Sequence, residues 1–270
     1  MGTPGLVANG VLTLAVLGDS TAAGIGDPLG AGRFRGFGPM LAGALGEPDR
    51  VHLVNTGTSG ARVGCVRRDQ LPLAVAARPH LAVLLVGLND TLRADFDARR
   101  LHDDLEAIVG ALTATGATVL GVRFHHHGRV FPLPRPVARA LDARIDELNG
   151  VIDRVLAEHG AHCLDLAALP ASYQPATWSI DRLHPSARGH RVLARGFADL
   201  LAAAGHPVVP GSLEDRDDDV LPTRAEEVAW LVTEGVPWLF RRSRDLLPLL
   251  LTVTLRRAGL PVVPGRAARL

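Results

Sequence analysis

Five short apolar runs recur along this chain: Leu12–Leu17, Val51–Asn55, Leu81–Val86, Thr118–Phe124 and His162–Asp165. Between them Phe34–Leu45, Val63–Ala77, Asp97–Thr115 and Val137–His159 repeat apolar residues every three or four positions, the period of an amphipathic helix. A last helix is expected from near Pro185 to about Ala204. The short runs are apolar throughout, which suits strands covered on both faces of a parallel sheet. Strand–helix alternation of this kind restricts the fold to a doubly wound α/β sandwich. Ligands in such sheets sit beyond the carboxyl ends of the strands, so the residues that follow each strand matter most.

At 270 residues with 47% hydrophobic composition, the chain has enough for one sizeable domain and an extension. Shifts in composition divide it into an expected sandwich domain (1–205), a Pro-rich acidic linker (206–222) and an apolar, Arg-rich helical extension (223–270) broken by Pro237 and Pro248. A net charge of +1 leaves no electrostatic footprint for nucleic acid. The chain contains no lysine, which excludes a P-loop lysine or a Schiff-base mechanism. Cys65 and Cys163 match no metal or redox spacing and are read as buried apolar filler in a reducing compartment. The N-terminus shows neither a basic leader nor a cleavage site, and apolar stretches fall short of the ~18 residues of a spanning helix, so a cytoplasmic protein is expected. Within 223–257, Trp230, Trp238 and Phe240 precede Arg241, Arg242 and Arg244. That stretch is expected to dock on protein, either this domain or a second copy; peripheral contact with the inner membrane face is the alternative.

Four segments carry chemistry. Gly18-Asp19-Ser20 follows the first strand, Asn55-Thr56-Gly57-Thr58-Ser59-Gly60 the second and Gly87-Leu88-Asn89-Asp90 the third, while Asp181-Arg182-Leu183-His184 precedes the last helix. Each has a plain structural reading alone: Ser20 as a helix cap, Gly60 as a turn residue, Asn89-Asp90 as a turn pair, His184 as the residue entering a helix. Together they supply what acyl transfer to serine requires. A serine hydroxyl attacks only when a base takes its proton, and imidazole does this at neutral pH. A carboxylate on the other ring nitrogen sets the tautomer, and the oxyanion needs donors already in place. Ser20, His184, Asp181, Gly60 and Asn89 fill these roles. Asp181 is preferred over Asp19 and Asp90 as the carboxylate because it shares a short turn with His184; those two are expected to bond within their own loops.

These blocks resemble the SGNH hydrolases, also called the GDSL esterase/lipase family. "GDST" matches the nucleophile block, "NTGTSGAR" the glycine block, "GLND" the third block and "DRLHPSARGH" the terminal block, in the family's order. The fourth letter of the first block departs from GDSL, at a position many members vary. The resemblance implies a flavodoxin-like three-layer α/β/α sandwich, a serine nucleophile, no metal or other cofactor, and oxyanion donors from the Ser20 N–H, the Gly60 N–H and the Asn89 side chain. It implies hydrolysis of a small-molecule or lipid carboxylic ester. Thioester hydrolysis and acyl transfer would use the same residues, and a non-catalytic, tail-tethered interaction protein is the alternative from another class.

Two other features of the sequence bear on binding. Gly24-Ile25-Gly26 begins a dinucleotide fingerprint but Leu29 stands where its third glycine belongs. His125, His126 and His127 follow the fourth strand, where at most two could face one ligand, and no nearby Asp, Glu or Cys completes a metal set. They are candidates for lining the substrate pocket. His102, His159, His162 and His190 are expected at the surface or at helix ends.

Overall fold

A computed structural model describes residues 10–130 and 135–209, with the isolated residues 213, 223 and 233. The expected extension and its docking or membrane role lie outside the described residues, as does most of the expected linker.

The apolar runs form a five-stranded parallel sheet of β1 (Leu12–Gly18), β4 (Val51–Asn55), β5 (Leu81–Leu85), β6 (Thr118–Arg123) and β7 (His162–Asp165), in the order β4-β1-β5-β6-β7. Two short antiparallel strands, β2 (Pro28–Gly30) and β3 (Arg33–Phe34), make a hairpin outside it. Leu14 to Leu17 of β1 and all of β5 are buried, as continuous apolar strands in the middle of a sheet must be. Among the five sheet strands this is the 2-1-3-4-5 order of the flavodoxin-like fold.

The chain moves outward to β4 in one direction and to β5, β6 and β7 in the other. Right-handed crossovers therefore put α1 (Phe37–Leu45) on one face, and α3 (Leu71–Ala76), α5 (Ala98–Ala114) and α6 (Arg135–Glu158) on the other. The final helix α7 (Ala187–Ala203) packs on α1, where Phe37 and Phe197, both fully buried, lie 5.4 Å apart. Such an aromatic pair adds about 0.5–1.5 kcal/mol beyond its area. Asp97 caps α5 by accepting from the Arg99 and Arg100 N–H groups. The sheet's switch point lies between β1 and β5, and Ser20 and Asn89 come from the loops that follow these two strands.

Three expected boundaries differ. Phe34 belongs to the β3 hairpin, and α1 begins only at Phe37, because Asp27 holds Arg35 and the Gly36 N–H in an extended turn. The Val63–Ala77 segment is a short helix α2 (Val63–Cys65), a π-helical turn (Val66–Gln70) and then α3. The last helix starts two residues beyond Pro185, with Ser186 as its cap accepting from the Gly189 N–H, since Pro185 is engaged in a bridge to Trp178. Cys65 and Cys163 are free and half-buried against the core, so they are less enclosed than expected; burial still pushes the Cys163 thiol up to about 11. Among the described residues no helix is long and apolar enough to cross a membrane.

Candidate active site

Ser20 stands in the first turn after β1, only 9% exposed, and His184 Nε2 lies 2.9 Å from its hydroxyl. On the far side of the ring, Nδ1 is 2.6 Å from Asp181 Oδ2. The other carboxylate oxygen of Asp181 accepts from the Ser179 hydroxyl (2.6 Å), the Leu183 N–H (2.8 Å) and the His184 N–H (2.9 Å). Burial by itself would raise the Asp181 pKa, but the hydrogen bond and charge of His184 and the other donors outweigh it and hold the group down at about 2. Asp181 is therefore an acceptor at neutral pH. Nδ1 must carry the imidazole proton, which leaves the Nε2 lone pair toward Ser20. The turn that holds this pair is closed by the Ser179 N–H on the His184 carbonyl and by the Trp178–Pro185 bridge.

Several contacts fix the nucleophile loop. The Asp19 carboxylate accepts from the Thr21 N–H, as expected of a group bonding within its own loop. Asn55 donates to the Ala22 carbonyl at 2.8 Å, tying the loop after β1 to the end of β4. Gly26, at φ 102°, lets the loop pass so close to the Pro185 carbonyl that a Cβ there would stand 2.0 Å from its oxygen. Burial raises Asp19 to about 6.

Two residues of this framework were not foreseen. Gln70, 4% exposed, accepts from the Gly18 N–H and donates to the Gly18 carbonyl, both at 2.8 Å, and so clamps the backbone two residues before Ser20. It sits in the π-helical turn, a backbone irregularity often found at functional sites. A glutamine between Val66 and Ala74 on an otherwise apolar stripe was the signal available for it. His190, expected at the surface or at a helix end, lies in the first turn of α7 but is fully buried: it bonds to the Ile25 carbonyl at 3.0 Å and stacks on Phe37. Its apolar stripe with Leu193, Ala194, Phe197 and Leu201 carried that information.

Asn89 stands at the mouth of β5, in the short helix α4 (Leu88–Thr91), and donates to the Ala61 carbonyl at 3.1 Å, which orients its amide and leaves the second amide hydrogen for another acceptor. Gly60, at φ 75°, is in the left-handed region, and among the described residues no acceptor takes its N–H. Asp90 bonds differently from expectation. Its carboxylate takes Arg62 Nε and the Val63 N–H, both at 3.1 Å, and so joins the loop after β5 to the glycine-rich loop after β4. Burial raises its pKa, with Arg62 and Val63 opposing.

The three histidines separate as alternation requires. His126 points outward to Asp146 at 2.8 Å, whereas His125 and His127 are buried, stacked at 4.4 Å and close to Trp178. Both line a cavity of about 50 Å³ with Thr21, Leu88 and Leu183. His102, His159 and His162 are only partly exposed, and His159 reaches Glu106 at 2.8 Å. Among the described residues no group of three His, Cys, Asp or Glu is arranged to hold a metal ion.

The model of the GDSL-like Lipase/Acylhydrolase family matches residues 16–192, a span that carries every block above. An acetylxylan esterase of Geobacillus stearothermophilus is 28% identical over 207 residues, covering 68% of this chain and 91% of that protein. Solved structures with the same fold include LAE5, an alpha/beta hydrolase enzyme from the metagenome of Lake Arreo (24% identity, TM-score 0.57, 76% of this chain and 98% of that one). Another is the acetylxylan esterase Axe2 of G. stearothermophilus (21% identity, TM-score 0.57, 70% and 94%). Catalytic mutants of Axe2 that replace a serine, an aspartate or a histidine are also among the similar structures. The protein is a carboxylic ester hydrolase that belongs to the GDSL-like lipase/acylhydrolase family.

Proposed function

We propose that the protein cleaves carboxylic esters of small molecules through an acyl-enzyme on Ser20. The observation that carries this reading is the continuous chain from Ser20 Oγ through the His184 ring to Asp181, at 2.9 and 2.6 Å. His184 Nε2 takes the hydroxyl proton as Ser20 attacks the ester carbonyl, and Asp181 stabilises the imidazolium that forms. The tetrahedral oxyanion is met by the Ser20 N–H, the Gly60 N–H and the Asn89 amide. His184 then gives its proton to the departing alkoxide. A water molecule, deprotonated by the same nitrogen, releases the acid and restores Ser20. The Axe2 mutants, with the same three residue types, support the assignment of the serine, the histidine and the aspartate. The similarity to an acetylxylan esterase supports acetate as an acyl group that this site releases.

A fluorophosphonate probe together with 4-nitrophenyl acetate tests this. Wild type is expected to be labelled on Ser20 and to hydrolyse the ester, and Ser20→Ala to do neither. Ester turnover surviving in Ser20→Ala would overturn the assignment.

A further inference from the structure

We propose that Asp90 is a positioning residue for the oxyanion donors: through Arg62 and Val63 it sets the spacing between the Gly60 N–H and the Asn89 amide. The inference rests on the serine-esterase reading above and deepens it.

The sheet alone leaves that spacing open. β1 lies between β4 and β5, so the strands that deliver the two donors do not pair with each other. Two interstrand spacings put them about 10 Å apart. The pairing of β4 with β1 ends at Asn55, and that of β1 with β5 ends at Leu85, before either donor is reached. Gly60 and Asn89 therefore lie where strand register no longer fixes them. Packing does little for the glycine-rich loop. Thr58 and Ser59 are exposed, and a Cβ on Gly60 would meet nothing within 4 Å.

Hydrogen bonds take over on both sides of Gly60. Before it, the Thr58 N–H donates to the Gly18 carbonyl at 3.1 Å, on the strand that presents Ser20. After it, three consecutive residues are tied to two consecutive residues of α4. Asn89 donates to the Ala61 carbonyl, while Arg62 Nε and the Val63 N–H each donate to a separate oxygen of Asp90, all three bonds at 3.1 Å. The α4 side is itself held from behind, because Arg144 of α6 donates to the Thr91 and Arg93 carbonyls at 2.8 Å each.

Capping α2 would account for only one of the two Asp90 bonds. Its second oxygen goes to Arg62, which also reaches Asp95 at 3.1 Å. Asp90 is 7% exposed, and a buried carboxylate is tolerated only when it is paired and hydrogen-bonded. The pairing here joins the residue after Asn89 to the second and third residues after Gly60. Donors must be held to within about 0.5 Å of the productive geometry, and a misplacement of about 1 Å can cost 10²-fold in rate. Asp90 acts on the reaction through the donors it spaces, without touching the ester.

The test measures kcat and KM on 4-nitrophenyl acetate per active site, with sites counted by fluorophosphonate labelling of Ser20 carried to completion. Protein that has lost its fold is thereby left out of the rate. Asp90→Asn keeps the side-chain size but turns an amide N–H toward one of the two donors. Its kcat is expected to fall about 10- to 100-fold, with KM changed less than about threefold. Arg62→Gln removes the bridge from a partly exposed side chain and leaves the Val63 bond in place, so its kcat should fall about tenfold. Each change is then combined with Asn89→Ala. With the amide gone no spacing is left to set, so each double variant should run within about twofold of Asn89→Ala alone. A role confined to holding the fold predicts losses that multiply instead, and that outcome would overturn the proposal. A kcat per site within about twofold of wild type in either single variant, or a loss confined to KM, would also overturn it. If Asp90→Asn does not fold, Arg62→Gln and its double variant decide. Wild-type kcat in Asn89→Ala would remove the donor, and the spacing role with it, while Ser20 labelling leaves the nucleophile standing. Failure to label Ser20 in wild type, with no ester turnover, would overturn the esterase reading itself.

Discussion

Two segments of the molecule carry imidazole rings in opposite settings. His184 sits between a hydroxyl and a carboxylate, each ring nitrogen engaged. His125 and His127 sit against each other and Trp178, with no carboxylate bonded to either ring among the described hydrogen bonds, and burial strips them of charge. The residue type is the same. What differs is whether a carboxylate is held within reach, because a buried ring can take up a proton only where an opposite charge offsets the desolvation. The first ring bridges a hydroxyl and a carboxylate, and the second pair is packed among aromatic rings.

Removing the carboxylate breaks the comparison most directly. Asp181→Asn would leave His184 without its anion and would favour the wrong tautomer, since an amide N–H in place of the acceptor oxygen reverses the ring. We expect kcat on 4-nitrophenyl acetate to fall by about 10⁴. The Ser20→Ala, His184→Ala double variant should be hardly worse than either single one, because groups that act as a unit lose their effect together. Additive losses would show the two acting separately.

Asn89→Ala tests the donor rather than the base. Loss of one preorganised donor should lower kcat by about 10²–10³ with little change in KM. A change confined to KM would mean that Asn89 holds the ground-state ester instead.

Gln70→Leu probes the framework beneath Ser20. It leaves the Gly18 N–H without its present acceptor in a buried setting, at a cost of about 1–3 kcal/mol, which thermal or urea unfolding would detect. Activity should fall as well because the strand end that presents Ser20 is released. An unchanged melting temperature would show that Gly18 finds other partners.

The smallest effect separates the two loops by pH. His125, His127 and His190 are held in the folded state at about 3, 4 and 4, below the 6.5 of an exposed ring. The unfolded chain binds their protons first, so their contribution to stability is complete above about pH 6.5 and is lost as pH falls toward 4. Asp19, raised to about 6, works in the opposite direction over the same range. Unfolding near pH 5 should then take up about two protons net from these four groups. Asp181 is depressed, and its contribution stays intact until pH falls below the 3.8 of a free carboxylate. Urea unfolding at a series of pH values checks this. Stability that does not change between pH 6.5 and 4.5 would mean that the buried histidines are protonated in the fold.

Much of the molecule is set by local pattern. Continuous apolar runs are compatible only with covered strands, and the helical period of the segments between them leaves little choice of architecture, so the sheet was legible from Leu12 to Asp165. The short spacing of Asp181 and His184 also foretold that they would share a turn. The outward turn of His126 follows from the alternation of extended backbone. Tertiary structure alone decided the rest. Asp90 reaches across to Arg62 and Val63, Gln70 grips a strand fifty-two positions earlier, and His190 disappears beneath the Ser20 loop. No local propensity encodes such bonds. They form because a buried polar group must find a partner, and which partner lies within 3 Å is known only after the sheet has brought distant loops to one edge.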